Sequence, residues 1–115
     1  MATLQEMMER IVRFRDERDW AQFHTPKDIA LSLMLEAGEV GELFQFKSEE
    51  EISRGRDQLR GKVGEELSDV LYWVLLMAHD MGIDLQSAFA DKMLKNETKY
   101  PVEKAKGSNK KYDAL

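Results

Sequence analysis

The chain has 115 residues, of which 43% are hydrophobic and 34% are charged, and its formal net charge is -5 at pH 7. This composition is typical of one globular domain. The negative charge argues against a general binder of nucleic acid polymers or membrane surfaces, because both need a cationic face to meet phosphate groups. The chain contains no cysteine, which excludes disulfides and zinc-thiolate sites. With no targeting pattern and no long apolar run, we expect a cytoplasmic protein that does not enter membranes.

Apolar residues recur at helical spacing over most of the chain, and this predicts an all-α, four-helix protein with a bundle-like subunit. The first helix should begin with a capping box, in which Thr3 and Glu6 satisfy each other's backbone amides. The second helix should begin at Thr25 and Pro26, because proline suits the first turn of a helix. We expect this second helix to continue to about Phe46.

The polar segment 47–61 is interpreted as a loop that contains one short turn of helix. A third helix is predicted over about 57–81 and a fourth over about 84–99, each with a turn or capping residue at its boundary. The basic, small-residue segment 103–115 is predicted to be an irregular tail. The expected division is therefore a helical domain, 1–102, followed by this tail.

Acidic residues interrupt the apolar pattern of the second helix in the run LEAGEVGEL. Successive helical residues turn by about 100°. On that wheel Glu36 lies inside the apolar stripe and Glu39 borders it, whereas Glu42 turns toward solvent. The two glycines of the run lie on the opposite side, where another helix could approach closely.

The third helix repeats this arrangement in the run EELSDVLYW. Glu66 lies within the apolar stripe, Asp69 lies on its flank, and Glu65 points away. Each of the two helices therefore carries one carboxylate on its core-facing stripe and a second carboxylate three residues later. If the helices pack together, the four acids form a carboxylate cage.

Four carboxylates directed toward one core need compensation, since burying an unpaired charge costs several kcal/mol. Neither stripe contains lysine or arginine, so divalent metal ions are the economical alternative. Oxygen ligands without cysteine favour Mg²⁺, or Mn²⁺, over zinc. One ExxE motif usually means a solvated surface, but two motifs on apolar stripes favour a metal site. A di-iron bundle would need a histidine three residues after a glutamate, and neither His24 nor His79 fits.

Five sequence blocks carry a resemblance to a known family: RDWAQFHTP, GEVGELFQFK, EELSDVLYW, KMLKNETKYP and GSNKKY. In order and spacing they resemble the MazG-like all-α nucleoside triphosphate pyrophosphohydrolase superfamily, and most closely its dCTP pyrophosphatase branch. The resemblance covers nearly the whole chain, from about Leu4 to Leu115.

The resemblance implies hydrolysis of a (deoxy)nucleoside triphosphate between the α and β phosphates, which yields the monophosphate and pyrophosphate. It favours dCTP or a modified dCTP as substrate and a role in nucleotide-pool house-cleaning. Glu36, Glu39, Glu66 and Asp69 would be the catalytic metal ligands. The resemblance also implies a homo-oligomer, either a dimer or a tetramer.

The resemblance further implies a substrate pocket of aromatic, polar and cationic side chains. The corresponding residues are Trp20, Phe23, His24, Phe46, Trp73, Lys92, Asn96 and Lys110. Three positions at this pocket depart from the pattern of the dCTP pyrophosphatase branch, namely Ile11, Phe46 and Trp73. Of the properties that the resemblance implies, the preference for a particular base is therefore the least well specified. By spacing alone, Phe46 and Trp73 are more typical of a helical core.

Two alternatives to the enzyme remain open. The first is a non-catalytic helical module of the same fold that binds a nucleotide or a partner protein. The presence of all four acids argues against it, because a decayed site should have lost some of them. The second is a metal-storing or redox carboxylate bundle, which lacks the histidines it would need.

Overall fold

The structure is a computed structural model of residues 1–115, and it is all-helical, which confirms the predicted fold class. The chain divides into two compact units, Met1–Gly82 and Ile83–Leu115. The first unit contains α1 (Leu4–Glu17), a 3-10 turn (Ala21–Phe23), α2 (Pro26–Glu42), α3 (Glu49–Arg54) and α4 (Arg56–Met81). The second unit contains α5 (Leu85–Lys99), α6 (Val102–Ala105) and a 3-10 turn (Tyr112–Ala114). No helix combines the length and apolarity that crossing a membrane requires.

The starts of α1 and α2 are set by side-chain caps, as predicted. Thr3 Oγ1 accepts a hydrogen bond from the Glu6 amide at 3.1 Å, and the Glu6 carboxylate accepts one from the Thr3 amide at 3.4 Å. Thr25 Oγ1 accepts from the Asp28 amide at 3.1 Å, with Pro26 in the first turn. These caps satisfy amides that a helix start otherwise leaves unpaired.

The core of the first unit lies around α4, which contacts α1, α2 and α3. Its fully buried large side chains are Ile29 from α2 and Leu75 and Leu76 from α4. Because neighbouring residues of a helix point about 100° apart, the burial of both leucines means that this half of α4 is covered on more than one side. This packing fixes α2 against α4, the two helices that carry the acids.

The segment 47–61 is not a loop, contrary to the prediction. It contains α3, and α4 begins at Arg56, so only Gly55 separates the two helices. The physical reason is a second capping box, in which Ser48 Oγ accepts from the Glu51 amide at 3.1 Å and the Glu51 carboxylate accepts from the Ser48 amide at 3.3 Å. The acidic residues that follow Ser48 also occupy the positive end of the helix dipole, where they are stabilising.

Helix α2 ends at Glu42, four residues before the predicted end at Phe46. The chain then tightens into turns, in which the Phe44 amide donates to the Gly41 carbonyl at 3.0 Å and the Lys47 amide to the Phe44 carbonyl at 3.2 Å. Phe46 has a φ of 65°, which is left-handed backbone that an α-helix does not continue through.

In the second unit, the C-terminal segment contacts the end of α5 and the residue that follows it. The Tyr100 and Tyr112 rings meet edge to face with centroids 6.1 Å apart, and Lys99 Nζ lies 4.9 Å from the centre of the Tyr112 ring. Segment 103–115, predicted to be irregular, thus includes part of α6 and a 3-10 turn. The division into 1–102 and 103–115 stays a prediction.

Candidate active site

Three carboxylates from α2 and α4 meet in the first unit. Oxygens of Glu36, Glu39 and Glu66 all lie within 4.8 Å of one another. We call these three residues the carboxylate cluster. Glu36 and Glu66 are half-buried and Glu39 is exposed. The fourth predicted acid, Asp69, lies outside this distance, but its charge still acts on both Glu36 and Glu66.

The carboxylate cluster is electrostatically uncompensated. Burial raises the pKa of Glu36, and hydrogen bonding to Glu39 and the charges of Glu39 and Asp69 raise it further. Hydrogen bonding to Glu39 raises the pKa of Glu66, and burial and the neighbouring carboxylates add to this shift. Burial is thus the main cause of the pKa shift of Glu36 and hydrogen bonding to Glu39 the main cause of that of Glu66, and the neighbouring negative charges add to both.

The donor set of the cluster fits a hard divalent cation. Oε2 of Glu36 and Oε2 of Glu66 are buried and have no hydrogen-bond partner. None of the ion pairs in the structure involves the three residues. Carboxylate oxygens without nitrogen or sulfur ligands suit Mg²⁺ and Mn²⁺, so the residues present match the predicted cofactor.

Five aromatic rings form a continuous row beside these helices. In order they are Trp20, Phe14, Tyr72, Trp73 and His24, with successive centroids 5.7, 6.2, 5.0 and 5.3 Å apart. All four contacts are edge to face, with interplanar angles between 75° and 88°. We call these five residues the aromatic row. Such contacts hold rings in fixed orientations.

The aromatic row reaches the carboxylate cluster at Trp73. A hydrogen-bonding interaction with the Trp73 side chain favours the charged form of Glu36 and so opposes the rise in its pKa. Burial lowers the pKa of His24, and the charge of Arg15 lowers it further, which favours the neutral imidazole. Trp20, at the other end, is 41% exposed. The row therefore meets the acids at its half-buried Trp73 end and is exposed at its Trp20 end.

Sequence reasoning missed two members of the aromatic row. Neither Phe14 nor Tyr72 is among the site residues that the sequence predicts. The available signal was the adjacent pair of Tyr72 and Trp73 on one helix, because a second aromatic beside a predicted pocket residue can extend its surface toward a neighbouring helix.

The other predicted substrate-binding residues are not in the aromatic row. Phe23 is 63% exposed, and Phe46 is 94% exposed at the turn after α2. Lys92, Asn96 and Lys110 belong to the second unit, where the two lysines are exposed and Asn96 is half-buried. Their assignment to the substrate stays a prediction.

Comparisons with known proteins agree on one family. Residues 31–115 match the MazG-like family. The chain is 40% identical to dCTP pyrophosphatase 1 of Rattus norvegicus and 39% identical to that of Homo sapiens, in each case over 98% of this chain and 68% of the relative. A crystal structure of a pyrophosphatase from Archaeoglobus fulgidus superposes with a TM-score of 0.81 at 36% identity, covering 88% of this chain and 94% of that one.

This chain is an all-α protein with paired carboxylates on two packed helices, and its superposition on the archaeal pyrophosphatase shows that the two proteins share the fold. The chain belongs to the MazG-like family, and the resemblance noted in the sequence is confirmed.

Proposed function

We propose that this protein is a Mg²⁺-dependent nucleoside triphosphate pyrophosphohydrolase that converts dCTP, or dCTP with a modified base, to the monophosphate and pyrophosphate. The observation that carries the proposal is the uncompensated carboxylate cluster beside an accessible row of aromatic rings. The relatives named dCTP pyrophosphatase 1, at 40% identity over 98% of the chain, support the reaction and the substrate.

The carboxylate cluster, joined by Asp69, would hold the metal. When bound, Mg²⁺ supplies positive charge against the triphosphate and lowers the pKa of an attacking water. The protein itself carries a net charge of -5 and would otherwise repel the substrate. A glutamate of the cluster, Glu36 or Glu39, would orient the water or accept its proton.

The aromatic row would bind the base. Stacking of one base on an aromatic side chain contributes about 1 to 3 kcal/mol and tolerates any base. Selection of cytosine would therefore come from hydrogen bonds to the edge of the base, for which Asn96 is the proposed partner. Lys92 and Lys110 would contact the phosphates.

The protein would act as a homo-oligomer, a dimer or a tetramer. The face of α2 opposite the carboxylates exposes Leu31 and Met34 at 45% and 61%. On the same side, a Cβ added at Gly38 or Gly41 would meet no atom within 4 Å. An open apolar face with glycines allows a helix of a second copy to approach closely. The proposed cellular role is the removal of surplus or modified pyrimidine deoxynucleotides in the cytoplasm.

Pyrophosphate release from a panel of canonical and 5-modified nucleoside triphosphates with Mg²⁺ tests the proposal. We expect dCTP or a modified dCTP to be the best substrate, and activity to collapse in Glu36→Gln and Asp69→Asn. Glu65→Gln is the matched control, because Glu65 is exposed and neighbours the site residue Glu66 in the chain. If nucleotide and Mg²⁺ bind but nothing is cleaved, the protein is a binding module of the same fold instead.

A further inference from the structure

A partly buried ion pair joins α1 to α4 outside the carboxylate cluster. Arg15 is 6% exposed and is the one buried charged residue of the chain. Its Nη1 donates to Asp80 Oδ2 at 2.8 Å and its Nη2 donates to Asp80 Oδ1 at 3.1 Å. His79 Nδ1 also lies 2.9 Å from Asp80 Oδ1. Two parallel hydrogen bonds between a guanidinium and a carboxylate fix direction as well as distance.

The backbone of Arg15 holds the segment that carries Trp20. The Arg15 carbonyl accepts hydrogen bonds from the Arg18 amide at 3.2 Å and from the Trp20 amide at 3.1 Å. Asp19, between these donors, has a φ of 54°, a left-handed conformation that few residues other than glycine adopt. The Arg15 side chain thus binds α4 through Asp80, and its backbone carbonyl binds the turn that leads to Trp20.

The ion pair lies close to rings of the aromatic row that come from different helices. Phe14 directly precedes Arg15, and its ring contacts Trp20 on one side and Tyr72 of α4 on the other. Tyr72 and Trp73 lie about two helical turns before Asp80 on α4. A shift of α1 along α4 would therefore separate Phe14 and Trp20 from Tyr72 and Trp73.

We propose that Arg15 and Asp80 are positioning residues that set nucleotide affinity by holding the two halves of the aromatic row together, without touching the nucleotide. This inference rests on the proposed function. It assigns the pair to substrate binding rather than to the chemical step, because the carboxylate cluster is built from α2 and α4 alone.

The test compares KM and kcat for dCTP with Mg²⁺ in wild type, Asp80→Asn, Arg15→Lys and Asp80→Glu. Asp80→Asn removes the charge, and Arg15→Lys keeps the charge but loses the planar fork. We expect KM to rise about tenfold or more in both variants, since misplaced binding groups lose affinity steeply, while kcat stays within about threefold. Asp80→Glu, which keeps a two-oxygen acceptor, should recover part of the loss. Arg54→Met is the control, because it breaks the exposed Arg54–Glu50 pair of 3.1 Å and should leave KM unchanged.

The inference is overturned if Asp80→Asn and Arg15→Lys lower Tm but keep the wild-type KM, which is the result for a purely structural pair. It is equally overturned if kcat falls while KM stays constant. If Asp80→Asn does not fold, the milder Arg15→Lys decides by the same criterion. A wild type that cleaves no triphosphate refutes the proposed function separately, and the dissociation constant for dCTP, measured by calorimetry in each variant, then decides the inference.

Discussion

Removing the charge of Glu36 should change stability in opposite directions without and with Mg²⁺. Without metal, Glu36→Gln removes a charge whose nearest Glu39 oxygen lies within 4.8 Å. Two unit charges at that distance repel by about 1 kcal/mol in water and about 3 kcal/mol at an effective dielectric constant of about 20. Because Glu39 is exposed, the lower value applies. We expect the metal-free variant to be more stable by about 1 kcal/mol, or about 4 °C in Tm for a chain of this size.

With Mg²⁺ the order should reverse. A ligand at about 100 times its Kd stabilises the folded state by about 2.7 kcal/mol, which corresponds to about 10 °C in Tm here. Glu36→Gln should lose most of this gain, since it removes a charged ligand from the cluster.

Thermal melts in EDTA and in Mg²⁺ measure both effects, with Glu65→Gln as the control that should follow wild type in each condition. A Glu36→Gln variant that is less stable than wild type in EDTA would contradict this prediction, because the carboxylate would then stabilise the metal-free fold. A wild-type Tm that does not respond to Mg²⁺ would refute the metal site.

Three further predictions concern stability and assembly. Burial tends to raise the pKa of Asp80, but hydrogen bonds from Arg15 and His79 outweigh it and lower the pKa. The pair should therefore stabilise the fold above the ordinary carboxyl pKa and lose this effect as pH falls. In urea titrations, the difference in free energy of unfolding between wild type and Asp80→Asn should narrow from pH 6 to pH 3. Leu76→Ala should lower the free energy of unfolding by about 2 to 5 kcal/mol because the residue is fully buried, and a loss below about 1 kcal/mol in urea titration would contradict the described core. Met34→Glu, on the exposed face of α2 opposite the carboxylates, should reduce the molar mass measured by light scattering without changing helical content, whereas an unchanged oligomer would place the interface elsewhere.

The sequence predicts the carboxylate cluster because helical periodicity assigns directions without tertiary information. Glu36 and Glu66 share faces with apolar residues on two separate helices, and the packing of α2 on α4 brings them together. Periodicity does not give the distance between helices, so it could not distinguish Glu39, which joins the cluster, from Asp69, which lies outside it.

The sequence prediction does not include the ion pair of Arg15 with Asp80, although helical periodicity places each residue on the core-facing side of its own helix. Arg15 lies four residues after Ile11, on the apolar stripe of α1, and Asp80 lies about 40° from Glu66 on α4. The sequence prediction uses core-facing charges only for the acids of α2 and α4. The sequence does not predict α3 because the polarity of the run beginning at Ser48 indicates a loop, whereas its capping pattern specifies a helix start.

The aromatic row contains both tryptophans of the chain, Trp20 and Trp73. Indole emission depends on the polarity and quenching of its surroundings, and here all of it arises within one set of touching rings. The unlabelled protein therefore carries its own optical probe. A base stacking on these rings should alter the fluorescence directly, and a Trp20→Phe variant, in which Trp73 alone emits, would assign the signal to one end of the row.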